Sequence, residues 1–159
     1  MNPYASQLGG RDARQTISET PQQLAELVDK LGPEGLQRAS GPGKWTIAEI
    51  LCHLADTEIA FAFRLRQALA EPHHTIQPFD QDAWARNYRQ FDGRAALETF
   101  SALRRWNAAF IQAAPEEAYS KSVTHPERGT MTFQTMVETM AGHDINHLRQ
   151  LQALASQSA

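Results

Sequence analysis

The sequence predicts an all-α protein folded as a four-helix bundle. Three observations predict it: four amphipathic stretches with helical periodicity, little alternating strand pattern, and one connection long enough to return the chain along a helix. The 159 residues suit a single domain spanning residues 1–159. A chain of this size buries about 68–70% of its unfolded surface, enough for a real core.

In the first helix Ile17, Leu24, Leu27, Val28 and Leu31 fall within an arc of about 80° when residues are placed about 100° apart. Two starts fit. Thr20-Pro21 offers an N-cap with proline at the first helical position, or a kinked helix begins near Asp12. Gly32-Pro33 ends it.

The second helix follows the loop Gly41-Pro42-Gly43-Lys44. Thr46-Ile47-Ala48-Glu49 reads as a capping box, in which each end satisfies an orphan N–H of the other. Ile47, Ile50, Leu51, Leu54, Phe61, Leu65 and Leu69 form one stripe, and the run from Ile47 to Ala70 is about 36 Å long.

Glu71 to Gly93 is the long connection, with a short helix expected between Asp80 and Tyr88. At about 3.3 Å per residue it has ample reach to cross the bundle.

The third helix runs from about Arg94 to Ala113, with Ala96, Phe100, Leu103, Phe110 and Ile111 on one face and Asn107 among them. Pro115 ends it, and His125-Pro126-Glu127-Arg128-Gly129 reads as a turn in the loop that follows. The fourth begins at the N-cap Thr132 and runs to about Ala155, burying Phe133, Met136, Val137, Met140, Leu148, Leu151 and Leu154.

Composition narrows the function. Hydrophobic residues at 42%, charged residues at 21%, nine glycines and eight prolines are ordinary for a globular chain and exclude disordered and collagen-like classes. The formal net charge of −3, without a run of Lys or Arg, gives nucleic acid no electrostatic footprint. No apolar run approaches the roughly 18 residues of a membrane span. The N-terminus lacks the charged and apolar regions of a signal peptide. The single cysteine, Cys52, excludes an internal disulfide and points to a reducing cytoplasm. It reads as a buried thiol.

The chain has six histidines, so a metal site here would rest on imidazole. A bundle that buries one stripe per helix keeps that stripe apolar, so its polar members carry the information. His143 and His147 lie one turn apart on the apolar face of the fourth helix, with Asp144 inside the same arc. Glu58 sits mid-stripe in the second helix and His53 at its edge. Two imidazoles at this spacing can chelate a metal, and His53 from a facing helix can complete a triad. Spacing alone leaves the bland alternative open, in which each is a core imidazole with a hydrogen-bond partner. His73, His74 and His125 fall in loops and read as non-ligands, and Met136 and Met140 as core packing.

Residues 43–58, Gly-Lys-Trp-Thr-Ile-Ala-Glu-Ile-Leu-Cys-His-Leu-Ala-Asp-Thr-Glu, and the later His143-Asp144-Ile145-Asn146-His147-Leu148 resemble the DinB-like (YfiT/DinB) superfamily. The resemblance covers nearly the whole chain. It implies a bundle in up-down-down-up order with the long crossover between the second and third helices. It also implies a divalent metal (nickel, zinc or iron) on His53, His143 and His147, and a homodimer. Members of the family include S-transferases using bacillithiol or a related low-molecular-weight thiol, a mycothiol-dependent maleylpyruvate isomerase, and proteins described as metal-dependent hydrolases. The resemblance carries no DNA polymerase activity.

The expected function is therefore a metal-dependent enzyme acting on a small electrophile through an activated low-molecular-weight thiol. Hydrolysis by metal-activated water and a non-catalytic, metal-stabilised binding bundle are the alternatives. Glu58 and Asp144 are the candidate catalytic groups, as base or as orienting partners of an imidazole. The competing role for either is an ion pair with an inward arginine, Arg104 or Arg105. Trp45 is read as a packing anchor that can also line a pocket.

Overall fold

The structure, a computed structural model, describes residues 2–156. In chain order it contains α1 (Ala5–Leu8), α2 (Ala13–Gly35), α3 (Ile47–Ala70), α4 (Gln81–Ala85), α5 (Gly93–Ala113), a hairpin of β1 (Ser122–His125) and β2 (Gly129–Thr132), and α6 (Phe133–Ala155). Short 3-10 turns occupy Tyr88–Gln90 and Glu116–Ser120.

The four long helices pack in up-down-down-up order. Polar contacts between helices show the directions. Glu58 of α3 meets Arg104 and Asn107 of α5, and Arg66 further along α3 also meets Asn107, so these two run parallel. Thr20 of α2 meets Asp144 of α6 and Arg38, just beyond α2, meets the Ala155 carbonyl, so that pair is parallel too. Arg94 at the start of α5 meets Asp29 late in α2, which makes those two antiparallel. Parallel α3 and α5 require the crossover, and the chain between them is packed: Ile76 and Tyr88 are buried, and Thr75 bridges to Thr124 of the hairpin.

Side-chain caps set the helix ends. Asp12 Oδ1 accepts from the Gln15 N–H at 2.8 Å, so α2 takes the earlier of its two starts. Pro21 then lies inside α2, where it has no N–H to give the Ile17 carbonyl. Arg104 Nη1 takes that carbonyl instead, at 3.1 Å. Gly32, at φ 63°, breaks the regular helix. The capping box forms in full: Thr46 N–H donates to Glu49 Oε2 at 2.7 Å and Glu49 N–H to the Thr46 hydroxyl at 3.2 Å. Thr132 caps α6 through the Thr135 N–H.

The apolar core is in two parts. One holds Ile17, Phe61, Leu65, Ile111, Phe133, Met136, Val137 and Met140. The other holds Leu24, Val28, Ile50, Leu51, Leu54, Phe100, Leu148, Leu151 and Leu154. Between them lies a buried polar layer of Thr20, Glu58, Arg104, Asn107 and Asp144. The buried face of α5 is Leu97, Phe100, Arg104, Asn107 and Ile111, rotated from the face the apolar residues alone mark, because an arginine and an asparagine occupy its centre.

Candidate metal centre

α3 supplies His53 and the antiparallel α6 supplies His143 and His147 from successive turns. All three are buried, at 3%, 6% and 9% exposure. Ring centroids lie 5.2 Å apart for His53 and His143, 5.0 Å for His53 and His147, and 4.5 Å for His143 and His147. One nitrogen from each ring lies within 4.8 Å of the other two.

His53 Nε2 and His143 Nε2 stand 3.1 Å apart. Two nitrogens bound to one metal at about 2.0–2.1 Å are separated by about 2.9–3.4 Å, from octahedral to tetrahedral angles. The observed separation is inside that window. Protonation state agrees. Burial, helped by His147, lowers the His53 pKa from 6.5 to about 3. Burial, then the other two imidazoles, lowers His143 well below its ordinary value, and burial lowers His147 against the pull of its bond to Gln150. Neutral imidazoles offer the lone pairs that a metal needs. The residues present fit a divalent metal.

The surroundings orient the rings unequally. His147 Nδ1 lies 2.9 Å from Gln150 Oε1; as donor to that oxygen it leaves Nε2 as the lone-pair nitrogen. His53 Nδ1 has no hydrogen-bond partner among the described residues, although Trp45 packs on its ring at 5.2 Å. Tyr4 meets the His143 ring edge-on at 5.3 Å. That contact needs Gly142, where an added Cβ would stand 2.5 Å from the Tyr4 carbonyl oxygen.

Glu58 and Asp144 do not hydrogen-bond an imidazole. Both are 1% exposed and both pair with Arg104 of α5. Arg104 Nη2 donates to Glu58 Oε2 at 2.8 Å and to Asp144 Oδ1 at 3.0 Å, while Nη1 donates to Asp144 Oδ2. Thr20 donates to Asp144 Oδ2 at 2.8 Å, Asn107 Nδ2 to Glu58 Oε1 at 2.8 Å, and Arg66 Nη1 to Asn107 Oδ1 at 2.8 Å. Burial works against the Arg104 charge, but Asp144 and Glu58 outweigh it and hold the guanidinium protonated.

The structure thus brings together the three helical histidines and leaves His74 and His125 apart, with His125 buried at the end of β1 rather than in the loop expected from the sequence. His74 pairs with Glu71 at 2.7 Å, and His125 Nδ1 accepts the Glu127 N–H at 3.2 Å. The Cys52 thiol is buried, and burial, reinforced by Asp56 and Glu49, pushes it up to about 11, far from a nucleophile. Sequence reasoning missed Gln150 and Tyr4. Gln150 carried a signal, three residues after His147 on the same helical side; Tyr4 carried none.

The fold and site define a class: a four-helix bundle with a buried cluster of three imidazoles drawn from two antiparallel helices. The sequence profile of the DinB superfamily matches residues 16–151, and the chain belongs to that superfamily. It is 28% identical over 140 residues to a protein of Oceanobacillus iheyensis named provisionally as a metal-dependent hydrolase, covering 87% of this chain and 81% of that one. It is 23% identical over 145 residues to YfiT of Bacillus subtilis, also named provisionally as a metal-dependent hydrolase, covering 89% and 81%. The solved structure of YfiT, described as an unusual four-helix bundle, superimposes with a TM-score of 0.80 at 22% identity over 92% of this chain and 87% of that chain. A mycothiol-dependent maleylpyruvate isomerase shares the fold with a TM-score of 0.66 at 19% identity, covering 94% of this chain and 60% of that one. Among the described residues no helix is long and apolar enough to cross a membrane.

Proposed function

We propose that His53, His143 and His147 hold a divalent metal and that the protein is a metal-dependent enzyme transferring a low-molecular-weight thiol to a small electrophile. The convergence of three buried imidazoles, one nitrogen of each within 4.8 Å of the other two, carries the metal reading. The names of the relatives agree with a metal. A divalent metal there supplies a Lewis acid that lowers the pKa of a thiol or water bound to it.

Among the described residues the cluster holds three imidazoles and no carboxylate, a donor set that leaves at least one position for a reactant. Gln150 fixes the His147 tautomer, and Trp45 and Tyr4 wall the rings of His53 and His143. The thiol is favoured because Glu58 and Asp144 are committed to Arg104, so that among the described residues no carboxylate base is hydrogen-bonded to the imidazoles. A thiol ionises near pH 8.5 and bulk water near 15.7, so the thiol needs a much smaller shift to act near neutrality. Hydrolysis is the second reading, favoured by the relatives' names. Imidazole ligands suit nickel, zinc and iron alike.

The test incubates metal-loaded protein with an electrophile and a panel of small thiols and measures product mass. Addition of the thiol supports transfer. Loss of electrophile without thiol addition selects hydrolysis. No turnover by fully loaded protein overturns the enzyme reading in favour of a metal-stabilised binding bundle.

A further inference from the structure

We infer that Arg104 is a positioning residue for the three-histidine centre: it clamps α3 and α6 in the register that brings His53 to His143 and His147. This rests on the metal reading above.

The centre is built across two helices that run antiparallel, so its geometry depends on their relative slide and rotation. Metal–ligand distances tolerate about 0.2 Å, whereas an α-helix advances about 1.5 Å per residue. Apolar packing is non-directional and specifies register weakly; a buried polar contact specifies it strongly. Among the described residues, the polar link between α3 and α6, apart from the imidazoles themselves, runs through α5. One Arg104 nitrogen, Nη2, holds Glu58 Oε2 at 2.8 Å and Asp144 Oδ1 at 3.0 Å. Glu58 is five residues, about 7.5 Å of helix, beyond His53. Asp144 lies between the two histidines of α6, next to His143.

The clamp is itself fixed. Arg104 Nη1 donates to the Ile17 carbonyl that Pro21 leaves without a helical partner, and the guanidinium lies over the Phe100 ring at 4.6 Å. Thr20 donates to Asp144 Oδ2, the oxygen that Arg104 Nη1 also holds, and Asn107 donates to Glu58 Oε1, the oxygen that Arg104 leaves. All four long helices therefore meet at one guanidinium. His53 depends on this arrangement, because its Nδ1 has no partner among the described residues. Its placement comes from the backbone of α3, the Trp45 contact and the Thr57 hydroxyl, whose Oγ1 lies 3.4 Å from His53 Nε2.

Arg104→Lys keeps the charge but not the planar fork, so one ammonium replaces a group that holds three acceptor residues. Asp144→Asn keeps the side-chain shape. Val28→Ala, in the core beyond the polar layer, is a control for lost stability alone. Each is titrated with Co(II) at a temperature where circular dichroism shows it folded, following affinity and the visible d–d spectrum. The inference predicts about a 10–100-fold weaker affinity and an altered spectrum for Arg104→Lys, and a change in the same direction for Asp144→Asn, with Val28→Ala like wild type. Wild-type affinity and spectrum in both polar variants overturn it, as does an equal loss in Val28→Ala. If Arg104→Lys does not fold, Asp144→Asn decides alone. Failure of the wild-type protein itself to bind Co(II), Ni(II) or Zn(II) overturns the metal reading instead.

Discussion

Replacing Arg104 by methionine removes the one cation shared by two carboxylates that are each 1% exposed. Glu58 keeps the Asn107 amide and Asp144 keeps the Thr20 hydroxyl, but neither keeps a buried positive partner. The Ile17 carbonyl also loses its donor. Removing one member of a buried ion pair costs about 3–5 kcal/mol, mostly the cost of leaving charge buried and unpaired. For a domain of this size each kcal/mol is worth about 2–4 °C, so the melting temperature falls by about 6–20 °C. The triple variant Glu58→Gln/Arg104→Met/Asp144→Asn removes the charges with the cation and recovers at least half of that loss. Urea unfolding at pH 7.5 followed by circular dichroism measures both. An Arg104→Met variant within about 1 kcal/mol of wild type refutes the reasoning, because uncompensated burial of this kind cannot be that cheap.

Three further outcomes follow from the same geometry. In metal-free protein the three imidazoles have depressed pKa values in the folded state and ordinary ones near 6.5 when unfolded. The unfolded chain therefore takes up more protons as pH falls. Stability is fully present above about pH 6.5 and declines below it, by up to about 1.4 kcal/mol per pH unit for each histidine; urea midpoints at pH 7.5 and 5.5 that coincide in chelator contradict this. Gly142→Ala places a Cβ against the Tyr4 backbone, so α1 must lift from α6, costing about 1–3 kcal/mol and exposing the N-terminal segment to limited proteolysis; unchanged proteolysis and melting contradict it. Gln150→Leu removes the acceptor that sets the His147 tautomer and weakens zinc affinity about 10–100-fold with helix content unchanged. Isothermal titration measures it, and wild-type affinity contradicts it.

Much of the fold was legible because it is written in short-range signals. Thr46 and Glu49 cap their own helix, so the start of α3 could be placed to the residue, and the stripe carries the helix to Ala70. The hairpin was not legible: its strands are four residues each, and it is held by pairing between Val123 and Met131 and by the bridge to Thr75, which no local pattern announces. The three histidines stood out because they interrupt apolar faces. Glu58 and Asp144 stood out for the same reason, but position on a face does not say which way a carboxylate is spent, and only the packed bundle shows both turned to Arg104. Thr20 was ambiguous because Pro21 after it looks like a helix start; inside α2 the same proline frees a carbonyl for Arg104. Tyr4 reaches the site through tertiary packing across the whole chain length, beyond any periodicity.

The central claim is that the three imidazoles share one metal. Its most direct measurement is elemental analysis of protein purified without added metal or chelator, for wild type and His147→Ala side by side. The account predicts about one divalent ion per wild-type chain, as three convergent imidazoles hold a single ion, and near-complete loss in the variant. Equal metal content in the two proteins contradicts it.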